Sequence, residues 1–244
     1  KNFSSMIIRI GIAAVAVSLA VMIIAVGIMV GYKKEITAKI TGFNSHIVIS
    51  ALDFNESFEA QPISSQQEFI EDIEALPEVN NVQAYAQKAG IIKTESAIEG
   101  IILKGVGADF NWSFLESSLI KGHKPQLSDT GQSEEILISQ YTADKLLLDT
   151  GMKINIFFLQ DRNHPVRIRR LEISGIFETG LEDYDKSFAI TDINQIRRLY
   201  NWEDSHTEGF EVKLVNFNTL DASTEKIKSI VGPMLRVLNA KDIK

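Results

Sequence analysis

Apolar residues run without a break from Ile10 to Val30, with Ser18 the only polar side chain among them and Arg9 and Lys33-Lys34 at the two ends. A helix of that length is about 31 Å long, matching the roughly 30 Å hydrocarbon core of a bilayer. No face of it is polar, which argues against the core helix of a soluble domain. A removable export signal carries a shorter apolar core, of about 7–15 residues, and a small-residue cleavage site. Here the one candidate, Ala25-Val26-Gly27, is followed by more hydrocarbon in Ile28-Met29-Val30, so the segment is read as a retained transmembrane helix. Beyond Val30, Ile36 and Ile40 keep a helical spacing as far as Gly42, a residue suited to a left-handed cap. The rod is therefore expected to extend about three turns into water, in the position of a mechanical lever.

The pattern then changes to short alternating segments. His46 to Ser50 reads as a strand, and Ser65-Gln66-Gln67-Glu68 has the spacing of a capping box in front of the apolar helical face Phe69, Ile70, Ile73 and Leu76. Pro77 closes that helix, and Val82, Ala84 and Ala86 alternate as a strand. A second strand-helix-strand unit ends the chain: Phe210 to Val215, a helix from about Asp221 to Val231, and Leu235 to Leu238 after Pro233. The segments FIEDIEALPEV and KIKSIVGPMLRV echo each other weakly. Two such units side by side predict an α+β sandwich with helices on one face of a sheet.

Between these units, strands are predicted at Ile91 to Thr94 and Ile98 to Val106. A β-rich region follows, with strands at Glu135 to Ile138, Lys153 to Leu159, Val166 to Phe177 and Ser187 to Ile190, and helices at Ser139 to Leu147 and Asp192 to Tyr200. The expected organisation is a membrane helix with its extension at residues 1–43, one subdomain from 44–108 plus 205–244, and an inserted subdomain from 109–204. The chain opens on Lys1 and is expected to be a segment of a longer protein.

Charge narrows the function. Residues 1–40 hold five of the 25 basic residues and one of the 32 acidic ones, so the remainder carries 20 against 31, a net charge of −11. A surface that acidic repels phosphate backbones, which excludes nucleic acid as an expected partner. Basic residues flank the apolar helix on both sides, and their tally does not fix its orientation. The absence of cysteine removes disulfides, thiol catalysis and thiolate metal sites together.

Motifs for chemistry are missing. No glycine is followed by lysine, which excludes a phosphate-binding P-loop, and Gly105-Val106-Gly107 has Phe110 where a dinucleotide fingerprint needs its third glycine. His46, His123, His164 and His206 are scattered, and no G-x-S-x-G is present. No catalytic residue, metal ligand or cofactor is therefore assigned, and His46 is read as a packing or hydrogen-bonding residue. Glu178, Glu182, Asp183 and Asp185 form an acidic cluster whose spacing does not suit calcium, and they are read as a solvated loop. Arg162, His164, Arg167, Arg169 and Arg170 crowd one turn and the strand after it, against the sign of the rest of the domain. Arginines on a hairpin capture carboxylates of a partner protein in bidentate fashion, and Arg162, Arg167, Arg169 and Arg170 are the candidate partner contact. A solvated hairpin paired locally with Asp161 and Glu172 is the plainer reading.

Two stretches, VGYKKEITAKITGFNSHIVIS and IFETGLEDYDKSFAITDINQIRRLY, resemble a known family in order and spacing. It is the FtsX-like ABC transporter permeases with a MacB-type periplasmic core domain, and within it the lipoprotein-releasing permeases of the LolC/LolE kind. The resemblance implies a cytoplasmic start, one helix of the bacterial inner membrane, a periplasmic domain of a porter-like and an inserted sabre-like subdomain, and three further helices. It implies as partners a cytoplasmic ABC ATPase subunit that binds ATP and Mg, a second permease subunit in a homo- or heterodimer, membrane lipid, and a periplasmic lipoprotein chaperone. Long helices would carry the work of ATP hydrolysis to the periplasm. Arg169-Arg170 falls where the family has a polar-basic pair contacting the chaperone, while the connection from Gln160 to Arg170 is shorter than the hook of the chaperone-recruiting permease. The helix face around Met22, Ile23, Val26, Met29 and Val30 would contact acyl chains, for which flexible Met side chains are suited. The resulting expectation is a permease subunit releasing lipoproteins from the inner membrane. The alternatives are a mechanotransmitting exporter or cell-division-type permease of the same family, or a single-span receptor with an external ligand-sensing domain. A membrane-anchored enzyme has no residue set to support it.

Overall fold

The computed structural model describes residues 2–43, 45–52, 60–95, 97–127, 133–158 and 165–242. It forms two compact units, residues 1–40 and 41–244. The first consists of helix α1 (Asn2–Phe43). Its segment Met6–Lys33 is long and apolar enough to cross a membrane, and none of it is buried against protein. Gly42 lies inside α1 and does not act as its cap.

The second unit begins with β1 (Ile47–Ala51), the short β2 (Ile63–Ser64) and α2 (Phe69–Glu74). The capping box expected ahead of α2 does not form: Glu68 is the N-cap and makes no side-chain cap bond. The Ser65 hydroxyl instead donates to Ser205 O at 2.9 Å, a tertiary bond that outcompetes the local one. Next come β3 (Val79–Lys93), β4 (Ile98–Val106), α3 (Ser113–Ser117) and β5 (Leu119–Gly122). The two strands expected at Val82 to Ala86 and Ile91 to Thr94 are one continuous strand, β3. Gly90, which invites a break there, is needed for packing, since a Cβ would lie 2.8 Å from the Phe158 ring.

The chain continues through β6 (Glu135–Ser139), α4 (Gln140–Leu146), β7 (Lys153–Phe158), β8 (Arg167–Phe177) and α5 (Glu182–Ser187). It ends with β9 (Phe188–Asp192), α6 (Ile193–Tyr200), β10 (His206–Thr207), β11 (Gly209–Leu214), a 3-10 turn at Phe217–Thr219, α7 (Leu220–Val231) and β12 (Leu235–Asn239). Two helices are capped as their sequences dictate. The Ser139 hydroxyl accepts from Thr142 N at the start of α4, and Asp192 accepts from Asn194 N at the start of α6. Asn201 ends α6 in the left-handed region, φ 58°, which asparagine tolerates.

Strands β12, β1, β11 and β3 pair in that order, all antiparallel to their neighbours. β1-α2-β3 and β11-α7-β12 are thus interleaved split βαβ units, with both helices on one face. The first core lies beneath them and is built from Ile47, Ile49, Val82, Phe210 and Val212 against Ile73, Leu220 and Ile227. Alternation explains the selection: Ile47 and Ile49 are fully buried, whereas Val48 and Ser50 point to the other face and are half-buried.

The same sheet continues from β3 through β4, β9, β6 and β8, and β7 then pairs with both β8 and β3. Six strands therefore close into a barrel. Its interior is a second core, with Ile92, Leu103, Ile138, Ile156, Phe158 and Ile173 packed against Ile193, Ile196 and Leu199 of α6. Gly105 makes this contact possible, because a Cβ there would lie 2.7 Å from Ile193 Cα. A third cluster, including Val106, Phe110, Leu137 and Phe177, covers the outside of the barrel. β3 serves both cores. Val79 to Tyr85 pair with β11, and Tyr85 to Lys93 pair with β4.

Candidate functional site

The arginine cluster does not stay together. In the β7–β8 hairpin Arg167 stands opposite Phe158, Arg169 opposite Ile156 and Arg170 opposite Asn155. Directly opposed residues share a face, so Arg167 and Arg169 lie on the side of the buried Phe158 and Ile156, and the exposed Arg170 lies on the other. Arg167 is committed to the fold: its Nη1 donates to Arg198 O at 3.0 Å, Leu199 O at 2.9 Å and Asn201 Oδ1 at 3.0 Å. It neutralises the carbonyls at the C-terminus of α6, the favoured place for a cation. Arg169 is half-buried beside it, and burial followed by the charges of Arg167 and Arg198 lowers its pKa from the ordinary arginine value. Arg162 and His164 fall outside the described residues.

On α1, Met22, Val26 and Met29 recur at helical spacing and share a stripe with Val30. All four side chains are exposed, Met29 most of all at 73%.

The acidic cluster is not a solvated loop. Residues 182–187 form α5, and Asp185, 7% exposed, turns inward. Its carboxylate accepts from Thr179 N at 3.0 Å, Thr179 Oγ1 at 2.8 Å and Gly180 N at 3.1 Å. It fixes the turn after β8, while Glu182 and Asp183 remain outside.

His46 has a packing and hydrogen-bonding role. Its backbone N–H donates to Val212 O, its carbonyl accepts from Ala240 N, and its Nδ1 accepts from Leu214 N–H at 2.7 Å. The register of β11 against β3 shifts between Lys213 and Leu214, and the imidazole takes up the Leu214 amide at that bulge. Burial, then the nearby Lys213 charge, lowers the His46 pKa to about 4, so the ring is a neutral acceptor.

A buried polar junction around Tyr85 of β3 was not anticipated from the sequence. Lys104 Nζ and Glu211 Oε1 form an ion pair at 2.6 Å with both residues almost fully buried, and Gln83 Nε2 donates to Glu211 Oε2 at 2.8 Å. At Tyr85 the pairings with β11 and β4 both reach their ends, opposite Gly209 and Val106. Side chains replace the missing strands. On the β4 side, Asp109 Oδ2 accepts from Ala84 N at 2.5 Å, and Gln83 Oε1 accepts from Asn111 N at 3.1 Å. On the β11 side, Glu208 Oε2 accepts from Gln87 N at 2.6 Å, and Tyr200 Oη donates to Gln87 O at 3.1 Å. Burial raises the pKa of both Asp109 and Glu208, the latter to about 7. The one sequence signal was a lysine inside the apolar run Ile101 to Val106, where a buried cation demands a buried partner. Among the described residues no group of three or more His, Asp or Glu side chains is placed to hold a metal ion.

An apolar helix followed by interleaved βαβ units and a closed barrel is the arrangement in which known proteins can be compared. The model of the MacB-like periplasmic core domain matches residues 10–230. The chain belongs to that family. Among curated members of known proteins, the lipoprotein-releasing system transmembrane protein LolC of Xylella fastidiosa is 22% identical over 242 residues, covering 96% of this chain and 56% of that protein. LolC of Neisseria meningitidis serogroup B is 24% identical over 229 residues, covering 92% of this chain and 53% of that protein. The chain thus spans about half the length of the curated relatives it matches. The periplasmic region of MacB from Actinobacillus actinomycetemcomitans shares the fold, with a TM-score of 0.51 at 12% identity over 84% of this chain and 93% of that one. The matched residues 10–230 include most of α1, whose segment Met6–Lys33 is long and apolar enough to cross a membrane, and most of the second unit.

Proposed function

We propose that this chain is the first membrane helix and periplasmic core of a permease subunit in an ATP-driven ABC transporter of the bacterial inner membrane, and that the machine releases lipoproteins. The observation that carries the reading is the likeness to lipoprotein-releasing LolC proteins across 96% of the chain. ATP and Mg belong to a separate cytoplasmic ATPase subunit in this reading, and α1 with its extension transmits the work to the domain outside. A second permease subunit completes the acyl-chain cavity. The stripe of Met22, Val26, Met29 and Val30 faces the lipid part of the substrate, since thioether side chains adapt to hydrocarbon of varying shape.

In this reading residues 44–108 plus 205–244 are the porter-like subdomain and 109–204 the inserted sabre-like one, with β4 and the end of β3 completing the barrel that the insert builds. Of the arginines proposed as a chaperone contact, the exposed Arg170 carries that role, while Arg169 lies on the opposite face beside Arg167, which holds the end of α6.

The test is reconstitution of the full-length protein with the ATPase that co-purifies with it. Lipoprotein release from proteoliposomes should require ATP and should fall severalfold in Met29→Glu, which puts a charge into the stripe proposed to hold acyl chains. Failure to recover any ATPase, or unchanged release in Met29→Glu, contradicts the proposal.

A further inference from the structure

Among the described residues, nine lysines pair with a carboxylate within 3.5 Å, and none of the arginines does. Three arginines instead gather where the start of β8 meets the last turn of α6. Arg167 and Arg169 are alternate residues of β8, about 7 Å apart along one face, and Arg167 donates to the carbonyl of Arg198. The bonds of Arg167 to α6 and Asn201 all use Nη1, so its Nε–Nη2 edge is left over. Arg198 is exposed. Arg169 is half-buried, and its hydrogen bond among the described residues is a 3.3 Å contact with the carbonyl of its own neighbour, Ile168. Burial first, and then the like charges of Arg167 and Arg198, lower its pKa.

The acids nearest this cluster are engaged elsewhere. Glu172, on the same strand, pairs with Lys153. Asp204, Asp192 and Asp109 act on Arg197, which also donates to His206 O at 2.7 Å and Asn194 Oδ1 at 2.9 Å. The β7–β8 connection carries one acid, Asp161, and one further arginine, Arg162, and so adds no net negative charge. Withdrawing a cation from water beside two others costs free energy that only a counter-charge offsets. We propose that Arg167, Arg169 and Arg198 form a binding site for a phosphate group, carried by a lipid headgroup or free in solution. One guanidinium fork satisfies a carboxylate, whereas a phosphate monoester presents three acceptor oxygens and close to two negative charges, enough for several guanidiniums. Bound phosphate supplies the counter-charge of Arg169, while Arg167, anchored through Nη1, presents its remaining edge in a fixed direction. The site does not depend on what the transporter carries.

Equilibrium dialysis of the full-length protein in a non-ionic detergent against labelled inorganic phosphate, at an ionic strength fixed with chloride, tests this. Saturable binding is expected, weakened about tenfold or more in Arg169→Gln and in Arg198→Gln, as for the loss of hydrogen bonds between charged groups. Arg198 is exposed, so its replacement leaves the fold intact even if Arg169→Gln does not. Arg170→Gln, on the other face, should keep the native affinity to within about twofold. Phosphatidic acid added to the micelles, with phosphatidylcholine as the control, separates the two sources. Displacement of the label assigns the site to a headgroup, retention assigns it to a soluble phosphate, and both support the proposal. Absence of saturable binding, or binding unchanged in both Arg169→Gln and Arg198→Gln, overturns it. So does acetate displacing the label as well as unlabelled phosphate does, since the site would then take carboxylates of a protein partner.

Discussion

Lys104 of β4 and Glu211 of β11 form an ion pair at 2.6 Å across the intervening strand β3, with both residues withdrawn from solvent. Gln83 on β3 lies between them and occupies the second carboxylate oxygen. Taking two ions out of water costs several kcal/mol each, which their attraction offsets only while both remain. Lys104→Met should therefore destabilise the domain by about 3–5 kcal/mol by leaving Glu211 buried and uncompensated. Adding Glu211→Leu should recover much of that loss. Chemical denaturation of the single and double variants checks this, and additive losses would contradict it.

His46 gives the first core a pH dependence of definite sign. Its pKa is about 4 in the folded chain against an ordinary 6.5, so below pH 6.5 the unfolded chain takes up a proton that the folded one refuses. The stability it supports is complete above pH 6.5 and is lost as pH falls toward 4. His46→Asn places an amide oxygen where Nδ1 accepts from Leu214 N–H, and should remove this component of the pH dependence while retaining the bond. His46→Ala orphans a buried amide and should cost about 1–3 kcal/mol at neutral pH. Thermal unfolding at pH 5 and 7.5 distinguishes the three proteins.

Arg167 and Arg170 are three residues apart in sequence and opposite in role. Removing the guanidinium that holds Arg198 O, Leu199 O and Asn201 Oδ1 should destabilise the domain in Arg167→Ala by about 1.5–3 kcal/mol, the range for bonds to a charged group. Arg170→Ala removes an exposed side chain and should change stability by no more than about 0.5 kcal/mol. Equal losses in the two variants, measured by denaturation, would sink this division.

Local structure was legible wherever it rested on periodicity. The apolar run, the alternating strands and the helices headed by Ser139 and Asp192 follow from spacing and caps that neighbouring residues supply. What the sequence concealed depends on partners far along the chain. Ser65 completes a plausible local cap on paper, yet bonds Ser205, which is 140 positions away. Asp185 looks like one more solvated acid until the turn at Thr179 folds onto it. Closure of the barrel depends on β7 meeting β3 at Ile91 and Ile92, a pairing that no local pattern encodes. Alternation along Arg167-Ile168-Arg169-Arg170 did contain the split of the arginines between two faces. Crowding in sequence obscured it.

The central claim is that α1 stays in the bilayer with the folded unit on the outer side, and cysteine labelling tests it, since residues 1–244 hold no cysteine and any cysteine elsewhere in the full-length protein is first replaced by serine. Met234, 82% exposed, can be replaced by cysteine in the full-length protein and challenged in intact spheroplasts with a membrane-impermeant maleimide. Immediate labelling, with the protein remaining in the membrane fraction after a high-salt wash, is the result expected. Labelling that appears only after the membrane is permeabilised, or release of the protein by salt alone, would contradict the account.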